Sequence, residues 1–387
     1  MRLNLDHLLK LPFFSSDHAK FAARLGDWLA TQAEGDEIDG AALLPYCRGL
    51  VKGLGEAGFL EPCVAKGGAP LDVRTLCLAR ETLSYHSALL DFGFAMQGLG
   101  SGPISLFGND QQKRRYLPAV AQGTCVTAFA LSEARSGSDV ANLEMSAVRD
   151  GTGYVLNGEK SWISNAGIAD LYVVFARTGE APGARGISAF IVESDRSGFS
   201  VSQQFDTISP HPIGTIQLDG CRIPEENRLG AAGAGFKIAM GTLDVFRSTV
   251  GAAALGLAHR ATDEAVAWSN GRSLFGQLLS DFQLTKAAIG TMSTSTESAE
   301  LLVYRAAWLK DNGQPRVTRE AAMAKMQATE GAQRSIDTAV QLFGARGVIK
   351  GSVVERLYRD IRAMRIYEGA TEIQQLVIGA DTLKPSP

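Results

Sequence analysis

Residues 366–374 read IYEGATEIQ, with Glu368 after an isoleucine and a tyrosine and before a glycine. A carboxylate dried by apolar neighbours rises toward neutral pH and can act as a general base. Ile366 and Tyr367 are such neighbours, and Gly369 lets backbone approach closely. The competing reading is a solvated acid near a helix end. Two more stretches carry hydroxyls, an aromatic and glycines at close spacing: FALSEARSGSDVANLEMSA (129–147) and YVLNGEKSWISNAGIAD (154–170). Taken singly, the first reads as a Ser/Gly loop and the second as a tryptophan at a strand end.

Other chemistries find little support. GLGEAG (53–58) matches GxGxxG, but LPYCRGLVKGLGEAGF reads as a helix running into a turn, with no strand ahead of the glycines as a dinucleotide site requires. There is no Walker A motif and no GxSxG elbow. Five cysteines (47, 63, 77, 125, 221) are widely spaced without a CxxC, which favours a reducing, cytoplasmic setting over a disulfide framework. Five histidines (7, 18, 86, 211, 259) make no HxH or HExxH, so no metal site is expected. The 387 residues are 45% hydrophobic and 20% charged with net charge −3, a globular balance without the basic field that nucleic acid or an anionic membrane needs. No signal peptide or membrane span is read.

Three textures follow one another along the chain. Residues 1–120 are helical in pattern, as in 18–35 and 72–98. Residues 121–230 are strand-like: ADLYVVFART (169–178) reads as a buried strand, and GISAFIVES (186–194) alternates, with Ile187, Ala189 and Ile191 on one side. Asn157-Gly158 and Asp219-Gly220 read as hairpin dipeptides. Residues 231–387 return to helical period in 241–269, 300–311 and 319–344. The second ends at Asn312-Gly313, and in the third Met323, Met326, Ile336, Val340 and Phe343 form an apolar stripe fit for a bundle core. The expected class is α+β, mostly α: an N-terminal helical domain, a middle β-barrel-like domain and a C-terminal four-helix bundle.

On that scaffold the two stretches above combine with QLFGARGV (341–348) and VERLYRDIRAMRIYEGATEIQ (354–374). Together with GNDQQKRRYLP (108–118), RSLFGQLLSDFQ (272–283) and IPEENRLG (223–230), they resemble the acyl-CoA dehydrogenase family over roughly 15–380. The resemblance implies FAD and the oxidation of an acyl-CoA thioester to the trans-2-enoyl thioester. A carboxylate takes the α-proton and flavin N5 takes the β-hydride, after which electrons pass to an electron-transferring flavoprotein. It implies a homotetramer, a dimer of dimers. Glu368 stands at the base position of the family's YEG motif. The backbone N–H of the base and a flavin ribityl hydroxyl bind the thioester oxygen. A minority of members carry the base just before the arginine of the segment matching LDVFRS; that position is Phe246, which accepts no proton. Arg247 matches the family arginine near the active site, Asp244 a pantetheine contact, and Tyr367 and Gly369 flank the base at the substrate. The resemblance places the flavin ring between the β-domain and the C-terminal bundle. Leu131 and Ser132 match contacts to its pyrimidine edge, Trp162 walls one side, and Ser164 replaces a threonine near N5. Ser138 matches a serine near CoA. Arg272, Phe275 and Gln283 from one subunit, and Gln341 with the 344–347 turn from its neighbour, hold the adenosine half, an arginine suiting the pyrophosphate.

Several positions depart from the pattern. YEGT is YEGA here, so Ala370 lacks a hydroxyl that commonly touches FAD, and Glu372 stands where glutamine is frequent. Ala134 and Arg135 replace Pro and Gly; Arg135 reads as facing water. Residues 205–220 lack the KxGxRxSxT pattern and carry a Pro-His-Pro turn near the expected CoA mouth, which keeps open a carrier-protein thioester, an acyl-CoA oxidase or a desulfinase-like member; a non-enzymatic scaffold is disfavoured by the intact Glu368. His86 occupies the place of an arginine that binds a distal carboxylate in the glutaryl branch. Gly93, Gly100 and Gly102, with Phe92 and Phe94, read as room for a short, branched or cyclic acyl group, or as close helix packing.

Overall fold

A computed structural model describes residues 1–32, 38, 40–67 and 69–384. Among the described residues, five α-helices come first: α1 (Ser16–Leu29), α2 (Leu43–Glu56), α3 (Val73–His86), α4 (Ala88–Phe107) and α5 (Asp110–Ala121). Eight strands follow: β1 (Thr127–Ala130), β2 (Ser146–Asp150), β3 (Gly153–Ser164), β4 (Leu171–Arg177), β5 (Ile187–Glu193), β6 (Phe199–Gln204), β7 (Ile213–Pro224) and β8 (Arg228–Leu229). Then come α6 (Gly235–Gly271), a two-strand hairpin of β9 (Ser273–Leu274) and β10 (Gln277–Leu278), and α7 (Gln283–Asp311), α8 (Thr318–Phe343), α9 (Val353–Met364) and α10 (Thr371–Thr382). The helix–strand–helix order is the expected one, and no helix among the described residues is long and apolar enough to cross a membrane.

By compactness the chain forms two units. One comprises Met1–Glu37, Asp72–Asp91 and Arg247–Pro387; the other comprises Ile38–Leu71 and Phe92–Phe246.

In the second unit the sheet runs β6-β7-β3-β2-β4-β5-β8, with β1 parallel to β4. Both faces of β4 and β5 are covered: every residue from Leu171 to Ala176 and from Ile187 to Val192 is buried. The one-sided alternation expected of Ile187, Ala189 and Ile191 is therefore absent, as in any strand covered on both faces. Neither Asn157-Gly158 nor Asp219-Gly220 makes a hairpin. They meet across the β3–β7 ladder at a register shift, where the Gly220 N–H donates to Asn157 Oδ1 at 2.7 Å and Gly158 takes φ +136°. Both dipeptides supply the positive φ of a bulge instead of a turn. GLGEAG is, as expected, the end of α2 and a turn, with Gly58 at φ +74°. The space expected at the α4 glycines is filled by packing. A Cβ on Gly100 would stand 2.5 Å from Thr127 Oγ1, and one on Gly102 would stand 2.9 Å from the Phe246 ring.

The first unit is helical. The expected helix over 72–98 breaks at Ser87, whose backbone is extended and whose hydroxyl accepts from the Leu90 N–H, as an N-cap serine does. At its other end α3 is capped by Asp72, which accepts from the Thr75 N–H at 3.1 Å. α1 covers the first part of the 18–35 reading; residues 33–35 lie outside the described residues. α7 packs on α8, and α8 on α9 and α10. Ile336 and Phe343 of the expected α8 stripe are buried, but Met323, Met326 and Val340 are only half-buried. The buried face is lined by Ala321, Ala324, Ala328, Ala332 and Ala339, small side chains that let helices approach, and it also holds Lys325, fully buried.

Candidate active site

Between α9 and α10 the chain makes a tight left-handed excursion. Ile366 and Tyr367 N–H groups close back onto the Ala363 carbonyl, Glu368 takes φ +53° and Gly369 φ +94°. A non-glycine residue at positive φ costs about 1–3 kcal/mol and persists only where its surroundings impose it. Here they do. Lys325 Nζ donates to the Gly369 carbonyl at 2.6 Å, and Gln374 Nε2 donates to the same oxygen at 2.9 Å and to the Glu368 carbonyl at 3.3 Å. Arg247 Nε adds a longer contact to the Glu368 carbonyl, 3.4 Å. The rim is tied by Glu330, which accepts from Arg365 Nε (2.8 Å) and from the Thr371 hydroxyl (2.7 Å). With both carbonyls engaged, the Glu368 N–H has no acceptor among the described residues.

The carboxylate itself is in an unusual state. Glu368 Oε2 is buried with no hydrogen-bond partner. Burial pushes its pKa above the ordinary glutamate value and Asp91 adds to the rise, against the pull of Arg80, Lys325 and Arg247. Arg80 is itself held by a two-pronged pair with Asp91, at 2.9 and 2.8 Å, and by the Thr249 hydroxyl at 3.1 Å. Lys325 is lowered to about 8 by burial, although Glu368 opposes the fall. The drying does not come from the residues expected to supply it: Ile366 is 57% and Tyr367 38% exposed, and burial is instead built by helices distant in sequence.

Of the expected residues, the structure brings together Glu368, Tyr367, Gly369 and Arg247. It adds Arg80, Asp91, Lys325 and Gln374, which sequence reasoning missed. One signal was present: a lysine inside the alanine-rich run AAMAKMQA.

The strand-side residues form a second group, in the sheet unit. Trp162, at the end of β3, is 55% exposed at φ +63° and stacks on Phe205 at 4.6 Å. The Ser161 N–H donates to the Ser132 carbonyl at 3.0 Å, and the fully buried Lys160 donates to the Leu131 carbonyl (3.1 Å) and to Glu133 (2.8 Å). Glu133 also receives the Glu144 and Met145 N–H groups at 2.6 and 2.9 Å, so 131–133 is rigidly held beside β3. Ser164 and Ser132 are half-buried, as is Asp244, while Ser138 and Arg135 are exposed. His211 leans its ring on Phe92 at 4.8 Å and donates through Nδ1 to the Ser209 carbonyl at 2.8 Å.

Arg272, Phe275 and Gln283 lie at the end of α6, on the β9–β10 hairpin and at the start of α7. Arg272 and Arg346 each approach the Trp268 ring, at 5.4 and 5.6 Å, and Phe275 is 96% exposed at φ +49°. Gln341 and Glu372 are exposed. His86 lines a cavity with Arg2, Leu5, Ala22 and Tyr85, and none of the residues round Glu368 belongs to that lining.

Three family models match in order: acyl-CoA dehydrogenase, N-terminal domain, over 15–124; middle domain, over 128–221; and C-terminal domain, over 233–383. An acyl-CoA dehydrogenase of Bacillus subtilis is 40% identical over 334 residues, 85% of this chain and 88% of that one. The mitochondrial short-chain specific acyl-CoA dehydrogenase of Mus musculus is 39% identical over 353 residues, covering 90% and 85%. The structure of butyryl-CoA dehydrogenase from Megasphaera elsdenii superposes with a TM-score of 0.87 at 32% identity, covering 99% of this chain and 100% of that one. Fold and site define an oxidoreductase of helix–sheet–helix build with a carboxylate oxygen buried at its turn. The chain belongs to the acyl-CoA dehydrogenase family.

Proposed function

We propose that the protein dehydrogenates a short acyl-CoA between Cα and Cβ, with Glu368 as the base. The observation that carries this reading is the unpartnered, buried Glu368 Oε2 on a turn whose carbonyls are held and whose own N–H is free of an acceptor. The thioester oxygen takes that N–H as donor, which stabilises the enolate that forms as Glu368 removes the α-proton. Arg247 and Lys325 lie close enough to Glu368 to favour its ionised form before the proton arrives. A short chain is the substrate class supported by the Mus musculus relative and the Megasphaera elsdenii neighbour.

The cofactor is FAD, and the residues present fit it. Trp162 offers an exposed aromatic face beside the rigid 131–133 segment with its half-buried serine, and Ser164 offers a second hydroxyl. Bound FAD supplies the acceptor for the β-hydride. Leu131, Ser132, Trp162 and Ser164 are the proposed ring contacts; Arg272, Phe275, Gln283, Gln341 and Glu372 the proposed contacts elsewhere along the cofactor. Ser138, Asp244, Tyr367 and Gly369 are proposed for the CoA ester. His86 is proposed for the distal end of the acyl group, and it also lines the cavity beside Tyr85. The proposed setting is cytoplasmic, in keeping with five free thiols, with an electron-transferring flavoprotein as acceptor.

The test is an anaerobic titration of purified protein with acyl-CoAs from butyryl to palmitoyl, including branched and cyclic members, reading the flavin absorbance. Bleaching by a short member supports the proposal. A yellow protein bleached by none of them moves the substrate to a carrier-bound thioester, and a protein that takes up no FAD overturns the enzymatic mechanism.

A further inference from the structure

Inside the helical unit, three side chains far apart in sequence converge. Glu81 comes from α3, His259 from α6 and Glu300 from α7, and one ligand atom of each lies within 4.8 Å of the other two. His259 Nε2 is 3.4 Å from Glu81 Oε1 and 3.3 Å from Glu300 Oε1. A divalent transition-metal ion bound at about 2.0–2.2 Å from each nitrogen and oxygen sets neighbouring ligands about 3.4 Å apart in a tetrahedral site. The two separations from His259 are of that size, and the two carboxylate oxygens, within 4.8 Å of each other, close in on such an ion. Both carboxylates are almost wholly buried, and Glu81 Oε1 has no hydrogen-bond partner. The far oxygens are held in place: Tyr304 donates to Glu81 Oε2, and His7 Nε2 lies 3.3 Å from Glu300 Oε2. Such outer contacts orient metal ligands and fix their rotamers. Two carboxylates offset the charge of a divalent cation, which displaces the proton they hold on His259, and bundle interiors build metal sites from facing helices in this way.

We propose that Glu81, His259 and Glu300 bind one divalent transition-metal ion of the zinc class. The ion ties α3, α6 and α7 together, with His7, half-exposed, on its solvent side. The site is separate from the Glu368 turn, sharing no residue with it. It was illegible in sequence, since the three ligands stand at 81, 259 and 300 with no short motif joining them.

The full-length protein, stripped with a chelator and then freed of it, is titrated with Co2+ by visible absorbance and with Zn2+ by calorimetry and thermal melting. The expected result is one ion per chain, a higher Tm with saturating Zn2+, and binding weakened at least tenfold in Glu300→Gln and His259→Gln. Wild-type protein that shows neither saturable binding nor a Tm shift overturns the proposal without recourse to any variant. Folded variants that bind as tightly as wild type also overturn it, because the ion then sits elsewhere and His259 is only an imidazolium between two carboxylates.

Discussion

At the scale of single residues, Glu368 combines a buried oxygen with three nearby cations, and burial wins. Replacing it by glutamine removes the base and keeps the shape, so kcat/KM falls by about 10²–10⁴-fold while flavin content is unchanged; steady-state kinetics beside an absorbance spectrum check both. Its raised pKa also has a stability consequence with a definite sign. Between the ordinary glutamate pKa and the raised one, the folded state holds a proton that the unfolded state has lost, so stability falls as pH rises through that window. Glu368→Gln therefore has a higher Tm than wild type at neutral pH, and the gap closes below about pH 4.3, where both states are protonated. A gap that stays constant with pH contradicts the assignment of burial as the cause.

At the scale of elements, the turn between α9 and α10 and the α3–α4 corner carry the site. Gly369 sits at φ +94°, and a Cβ there would lie 2.5 Å from Gln374 Nε2. Gly369→Ala should cost about 1–2 kcal/mol, read by denaturant unfolding, and should lower kcat with it, because it displaces the clamp on the carbonyls. At the corner, Arg80→Met leaves the buried Asp91 without its partner and should destabilise by about 3–5 kcal/mol; adding Asp91→Leu should recover most of that. Arg80 also holds Glu368 down, so the acid limb of kcat/KM moves to higher pH in the folded variant. These elements differ in how far the sequence announced them. Glu368, Gly369 and Arg247 belong to short local motifs and could be read directly. Arg80 and Asp91 could not, because a charged residue in a helical run reads as a solvated face until the partner helix is known; Lys325 carried a single signal, its place in an alanine-rich run. Likewise Asn157-Gly158 and Asp219-Gly220 carry a correct local signal, positive φ, whose use depends on the facing strand. Ser87 is an N-cap hidden in a continuous apolar pattern, which is why one expected helix proved to be two.

At the scale of the whole molecule, the order of helices, sheet and helices followed from texture alone, whereas the two compact units cut across it, because helices from both ends of the chain share one core. The helical unit also leaves Phe275, Leu284, Val348 and Leu376 strongly exposed. Light scattering should give the mass of the homotetramer that the family resemblance implies; a monomer would contradict that expectation. The central claim, that Glu368 takes the α-proton, is tested most directly without electron transfer. Exchange of the α-hydrogens of a redox-inert 3-thia-acyl-CoA is followed in D2O by proton NMR, with wild type and Glu368→Gln. The account predicts exchange in wild type and a loss of at least a hundredfold in the variant. Equal rates in the two proteins would contradict it and place the base elsewhere.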